Sequence, residues 1–300
     1  MYSRWASFAV IVLWLTTMTW LVKEKVLPAL LIGEPPDGQK VLAARESVPL
    51  VGWHLRWNGE PVGWALSLTE RSSNQVTEIR SRVRFERLPL GDITPGWLPA
   101  LFDSVDAIPS RIRADANTRL LLDSDGQLMN IRSSVRFEPF GEEISMVGEV
   151  RGVVMKLVVR SRGLCYRTEM PIDPTAIHGE ALSPQTQLPG LHEGQTWTVE
   201  VGSPLSYPTC PVEVLQASVV GLNRLCWQGE MLPVWLVEYH TNPGHRLSTA
   251  SETRGRLWVR PDGTVLVQEV SILNAKMRFV RMEQEEAEAL ADQYELTVTQ

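Results

Sequence analysis

The residues able to do covalent chemistry are few. Cys226, then His240 or His245, then Asp262 follow one another in the order thiol, base, orienting acid. A nucleophilic thiolate needs a lowered pKa, usually at a helix N-terminus beside its base. Cys226 instead stands in the strand-like run RLCW, directly before Gln228-Gly229. The expectation is therefore ordinary strand residues and no enzyme. Metal ligation has no better basis: His240 and His245 flank Asn242-Pro243-Gly244, His178 and His192 are isolated, and the three Cys form no C-x-x-C pair. No cofactor motif is present. In an oxidising compartment Cys210 and Cys226 could close a short loop contributing about 3 kcal/mol. The alternative is that Cys165, Cys210 and Cys226 are reduced, buried thiols.

Binding chemistry has more candidates. Arg80, Arg82 and Arg84 alternate along one run, with Arg56, Arg132 and Arg136 on others, as a phosphate patch or as the wet face of a sheet balanced by Glu78, Glu86 and Glu138. The wet face is the expectation. Trp is frequent, with eleven in 300 residues. Trp53, Trp57, Trp64, Trp197, Trp235 and Trp258, like Trp227, fall in strand-like runs, where they either line an apolar groove or fill the core.

These residues must be positioned by a chain that opens with an apolar run. Trp5 to Val22 is eighteen residues without a charge. As a helix it would extend about 27 Å, close to the roughly 30 Å hydrocarbon thickness of a bilayer. Trp5 and Trp20 stand near its ends, where interfacial aromatics belong. The run closes on Thr19-Trp20-Leu21-Val22 without small residues at a cleavage site, so it reads as a retained anchor through residues 5–22. Arg4 on one side and Lys23 and Lys25 on the other nearly balance the positive-inside rule. The short head and large body favour an extracytoplasmic body on a bacterial inner membrane. Past residue 22, 28 basic residues face 35 acidic ones, a balance that argues against nucleic acid as a partner.

Residues 23–50 form a connector broken by Pro28, Pro35-Pro36 and Gly38. From there the period is two. Trp53, Leu55 and Trp57 alternate up to Asn58-Gly59, Val62, Trp64, Leu66 and Leu68 after it, and Ile79, Ser81, Val83 and Phe85 oppose the Arg face. The pattern lapses from Leu88 to Pro109, with room for a short helix over 98–105. Strands are predicted over 110–122, 127–138, 143–150, 152–161 and 163–170, and a Pro-containing boundary follows to Pro189. Further strands are predicted over 195–201, 212–220, 223–227, 232–241, 254–260, 264–272 and 276–282, then a helix over 283–294. LLLDSDGQLM (120–129) and LWVRPDGTVL (257–266) echo each other, as two similar halves, 51–180 and 181–300, would. The fold class is mainly β: an anchor, a large antiparallel sheet or open half-barrel, and a C-terminal helix.

GWHLRWNGEPVGW (52–64), LDSDGQLMN (122–130), LPGLHEGQTWT (188–198), WVRPDGTVLVQE (258–269) and MRFVRM (277–282) occur in an order that resembles the membrane-anchored β domain preceding the catalytic core of bacterial transglutaminase-like proteins. More loosely it is similar to the open β-sheet domains of lipoprotein carriers. In the resembled proteins a domain bearing Cys, His and Asp follows, and this sequence ends at Gln300. The resemblance thus implies a non-enzymatic envelope module that docks a protein partner. A module holding a lipid or other apolar ligand in the concavity is the alternative, and a Cys/His/Asp enzyme comes third.

Overall fold

The computed structural model describes residues 35–72, 75–89, 111–138, 141–161, 164–172, 177–180, 184–202, 212–241, 253–272, 275–294 and 296, with seven positions between 11 and 20. Those seven are helical, and Thr17 Oγ1 donates to the Leu13 carbonyl at 2.8 Å, satisfying its hydroxyl within the helix. No helix among the described residues is long and apolar enough to cross a membrane, but most of the 5–22 run lies outside them. The segment 98–105 and Cys210 also lie outside them.

Helix α1 (Gly38–Ser47) precedes β1 (Leu50–Trp57), β2 (Glu60–Arg71), β3 (Thr77–Pro89), β4 (Arg111–Leu122), β5 (Leu128–Glu138), β6 (Glu142–Arg151), β7 (Val154–Ser161) and β8 (Leu164–Pro171). Then come β9 (Ile177–Glu180), β10 (Thr196–Gly202), β11 (Val212–Trp227), β12 (Glu230–Thr241), β13 (Thr253–Val259), β14 (Val265–Ile272), β15 (Ala275–Arg281) and α2 (Gln284–Gln293). The fifteen described strands form one sheet in the order 8-7-6-5-4-3-2-1-15-14-13-12-11-10-9. Two meanders are thus joined where β1 pairs antiparallel with β15, from Trp53↔Arg281 to Trp57↔Met277. Among the described strands the one parallel pair is β9 with β10.

The sheet must curl. Laid flat at about 4.8 Å per strand it would be roughly 67 Å wide. Yet the end of edge strand β8, Pro171, and the start of edge strand β9, Ile177, are only six residue steps apart, a reach of about 20 Å. The core agrees: Val159 of β7 and Trp197 of β10 belong to one buried cluster with Leu55, Phe137, Val237 and Phe279. That cluster lies on the concave face, and it spans both meanders. Strand-to-strand ion pairs such as Arg82–Asp115 lie on the convex face, whereas Arg71 pairs with Glu46 of α1.

Turn chemistry sets the hairpins. Asn58-Gly59 and Gln228-Gly229 have positive φ at both positions (49° and 94°, 51° and 83°), the combination a two-residue hairpin needs. The echoed loops share one frame. In the first, Asp123 N donates to Gln127 O at 2.9 Å and Gly126 N to Asp123 O at 3.1 Å. In the second, Arg260 N donates to Thr264 O at 2.8 Å and Gly263 N to Arg260 O at 2.9 Å.

Four expectations need correction, the grouping of the Trp residues being taken up with the site below. The connector contains a helix: Asp37 caps α1 by accepting from Gln39 N at 3.0 Å, which stabilises a turn that Pro35-Pro36 can precede but not interrupt. Val62 does not share a face with Trp64. The register passes from Arg56↔Pro61 to Leu55↔Gly63, so Val62 is an extra residue, and the bulge turns it into the concave core while Trp64, Leu66 and Leu68 face outward. A side chain at Gly63 would collide with the Arg84 carbonyl oxygen, so the bulge depends on glycine there. Residues 212–227 form one strand rather than two, because a second bulge between Val219 and Gly221 absorbs the break in alternation.

Candidate functional site

Period-two geometry divides the Trp residues between two faces. Trp53, Trp57 and Trp197 are buried in the concave core, and Trp235 packs against it. Trp64 stands opposite His54 on the convex face, under α2 with Leu50, Leu66, Met282, Ala287 and Ala291. Trp258 and Trp227 are also convex, with Val234, Leu266 and Val267. One groove lined by all six candidates is therefore not what the fold contains, since adjacent strand positions point to opposite sides.

The nucleophile-base set is not assembled. Cys226 pairs with Met231 at one end of the β11–β12 hairpin and His240 with Gln216 at the other. Ten residues of strand put them about 30 Å apart. His240 Nε2 instead lies 3.4 Å from Glu238 Oε2, two positions along its own strand. Cys165 and Cys226 are exposed free thiols, and Cys210, the proposed disulfide partner of Cys226, is outside the described residues. No group of three metal-ligating side chains occurs among the described residues. The Arg stripe is paired: Arg80 with Glu70, Arg82 with Asp115 at 2.8 Å, Arg84 with Glu86 at 2.9 Å, and Arg136 with Glu143 at 3.3 Å. It is a wet ladder with its charges balanced.

The concave face holds two polar features that alternation alone does not signal. Ser67, Ser81, Thr118 and Ser133 occupy one register row across β2 to β5, all buried, with Thr118 Oγ1 and Ser133 Oγ 2.9 Å apart. Four small side chains in line allow close approach of whatever packs over them. The second feature is α1, which enters the concavity with Val41, Leu42 and Arg45 on one face, three and four residues apart. Its first turn touches the β4–β5 loop, where Gln39 Nε2 donates to Asp125 Oδ1 at 3.5 Å. From its last turn Arg45 Nη2 donates to Gln185 Oε1 at 2.6 Å, so the helix bridges the two meanders.

Gln185 belongs to a strap running over the β13–β14 end, where Leu188 N donates to Gly263 O at 2.7 Å and Val265 N to Thr186 O at 3.2 Å. Gln185 N donates to Gln268 Oε1 and its Nε2 to Gln187 O, each at 2.9 Å, which holds its own amide oxygen toward Arg45. Arg281 supports the strap by donating to Thr186 O at 3.0 Å and to Val265 O at 3.2 Å. Tyr239 lies against Gly255, where a Cβ would come within 3.2 Å of its ring, and burial pushes its phenol well above the usual range. Burial lowers Arg45 to about 10, partly opposed by Tyr239, and lowers Arg281 to about 10. On the concave side Tyr239, Val270 and Trp235 pack against the core but are only partly buried, as is Arg45.

On the convex side a shallow depression of about 380 Å³ lies between α2 and the sheet, lined by His54, Trp64, Glu286 and Leu290 among others. His54 Nε2 and Glu286 Oε2 are 3.1 Å apart across it. Both are half exposed, so this contact contributes little to stability.

The fold is thus a single curled sheet of two meanders with a helix in its concavity. No protein-family model matches the chain, and neither does any curated protein. Among solved structures it is similar to a β-barrel-like protein of the domain of unknown function DUF1849 from Brucella abortus, with 9% identity and a TM-score of 0.46, covering 78% of this chain and 95% of that one. It is also similar to a DUF1089 family protein from Pseudomonas aeruginosa, with 14% identity and a TM-score of 0.35, covering 72% of this chain and 93% of that one.

Proposed function

We propose that this chain is a non-enzymatic module of the bacterial envelope, anchored through residues 5–22, that holds an apolar ligand against the concave face of its curled sheet. The observation carrying this reading is that Trp235, Tyr239 and Val270, packed against the concave core, are only partly buried and lie with Arg45, which couples to Tyr239. Such surface is apolar, partly preformed and bordered by a few fixed polar groups, the composition of small-molecule sites. α1 and the Gln185 strap stand over it. The test is extraction of the full-length protein in a mild detergent, followed by solvent extraction and mass spectrometry of what remains bound. One apolar molecule per chain, lost when Val270→Trp crowds the site, supports the reading. A ligand-free protein that also takes up no apolar probe overturns it.

Docking of a protein partner is the second reading, favoured by β8. That strand pairs only with β7 among the described strands and exposes Leu164, Cys165, Arg167 and Glu169. A strand edge of this kind can accept an extended segment.

A further inference from the structure

We infer that the ligand held in the concavity is an amphiphile with a carboxylate head, and that Arg45 receives that head. The inference rests on the apolar-ligand reading and goes further by naming the head group. An arginine on the same helix face as Val41 and Leu42, which pack into the core, is costly unless an anion accompanies it. Among the described residues no carboxylate lies within ion-pair distance of Arg45. Its single acceptor is the neutral amide oxygen of Gln185 at 2.6 Å, while its Nε is buried without any acceptor. The group coupled to it electrostatically is Tyr239, a neutral phenol.

The other unsatisfied polar atoms on this face have the same character. Trp53 Nε1 and Trp197 Nε1 are buried donors without partners. An empty acceptor would signal a missing donor; here donors are in surplus and a cation is among them. What is missing is a negatively charged acceptor. One unpaired guanidinium balances one charge, which a carboxylate supplies and a phosphate monoester, at about two charges near neutral pH, exceeds. The planar fork of Arg45 is oriented as a receptor, with Nη2 steered by a glutamine pinned at both ends and the buried Nε left without an acceptor. Val270 and Trp235 supply the apolar wall that a hydrocarbon tail would cover.

Three photoreactive probes sharing one C16 chain test this on the full-length protein in non-ionic detergent: the free acid, its methyl ester and the alkyl phosphate. Labelled peptides are mapped by mass spectrometry. The acid is expected to label β12 and β14 peptides at a concentration about tenfold or more below the ester, the discrimination a charge-assisted hydrogen bond gives. Arg45→Met should bring the acid to the level of the ester and leave ester labelling unchanged. The variant should melt no lower than the wild type without ligand, which separates lost recognition from lost folding. Equal labelling by acid and ester, an unchanged acid preference in Arg45→Met, or a preference for the phosphate overturns the carboxylate assignment while leaving the apolar site standing. If no probe labels the concave strands, both readings fail.

Discussion

Replacing Gly52 with alanine tests how the C-terminal helix is seated. A Cβ at this position would lie 2.8 Å from the Ala287 Cβ, 2.8 Å from the Met282 Sδ and 3.2 Å from the Ala287 Cα. Met282 can rotate away, but Ala287 is fixed to α2, so the helix must retreat by more than half an ångström from Leu50, Leu66 and Leu68. Overpacking of this kind costs about 1–3 kcal/mol. For a domain of this size that lowers the melting temperature by roughly 2–4 °C per kcal/mol, or about 4–8 °C for a central cost near 2 kcal/mol. A ten-residue helix does not persist alone in water, so loss of its seat should open Glu285, Glu286 and Glu288 to a glutamate-specific protease. Ala287→Gly alone should cost about 1 kcal/mol of helix propensity. Together the two substitutions remove the Cβ–Cβ collision, and the double variant should be more stable than the sum of the singles by at least about 0.5 kcal/mol. Strict additivity, with Gly52→Ala melting within a degree of wild type, would show that α2 does not rest on Gly52.

Three further outcomes are expected. Leu55→Ala, at a fully buried concave position, should destabilise by about 2–5 kcal/mol, whereas Leu222→Ala, at a position 64% exposed, should stay within about 0.5 kcal/mol in the same denaturant titration. Ligand-free Arg45→Met should be more stable than wild type near neutral pH by about 1–3 kcal/mol, because it removes a buried charge without a partner. Burial lowers the folded-state Arg45 to about 10, below its unfolded value, so above about pH 10 the unfolded chain binds the extra proton and wild-type stability rises with pH. The advantage of the variant should therefore be constant below about pH 10 and shrink above it, and a gap that widened there would refute the assignment. Cys165 and Cys226, both exposed, should react with a maleimide in the native protein about as fast as in denaturant. Slow labelling of either places it under cover.

Local chemistry makes much of the sheet legible in the sequence. Alternation placed Ile79, Val83 and Phe85 inside and Arg80, Arg82 and Arg84 outside, because successive strand residues point to opposite faces whatever else the chain does. Asn58-Gly59 and Gln228-Gly229 fixed two hairpins, because few residues tolerate paired positive φ. The Ala- and Glu-rich tail formed α2 near its predicted bounds.

Long-range matters were decided only by the tertiary structure. That β1 meets β15 depends on pairing between residues more than two hundred positions apart, which no local pattern encodes. The extra residue at Val62 reversed the face of Trp64, since one unpaired residue shifts every side chain beyond it to the other side. The separation of Cys226 from His240 followed from the lengths of β11 and β12. Arg45 went unremarked in a stretch that read as a connector. An arginine has meaning as a receptor only once the helix carrying it is pressed into a concavity that offers it no acid, and that is a property of the folded sheet rather than of any short run of residues.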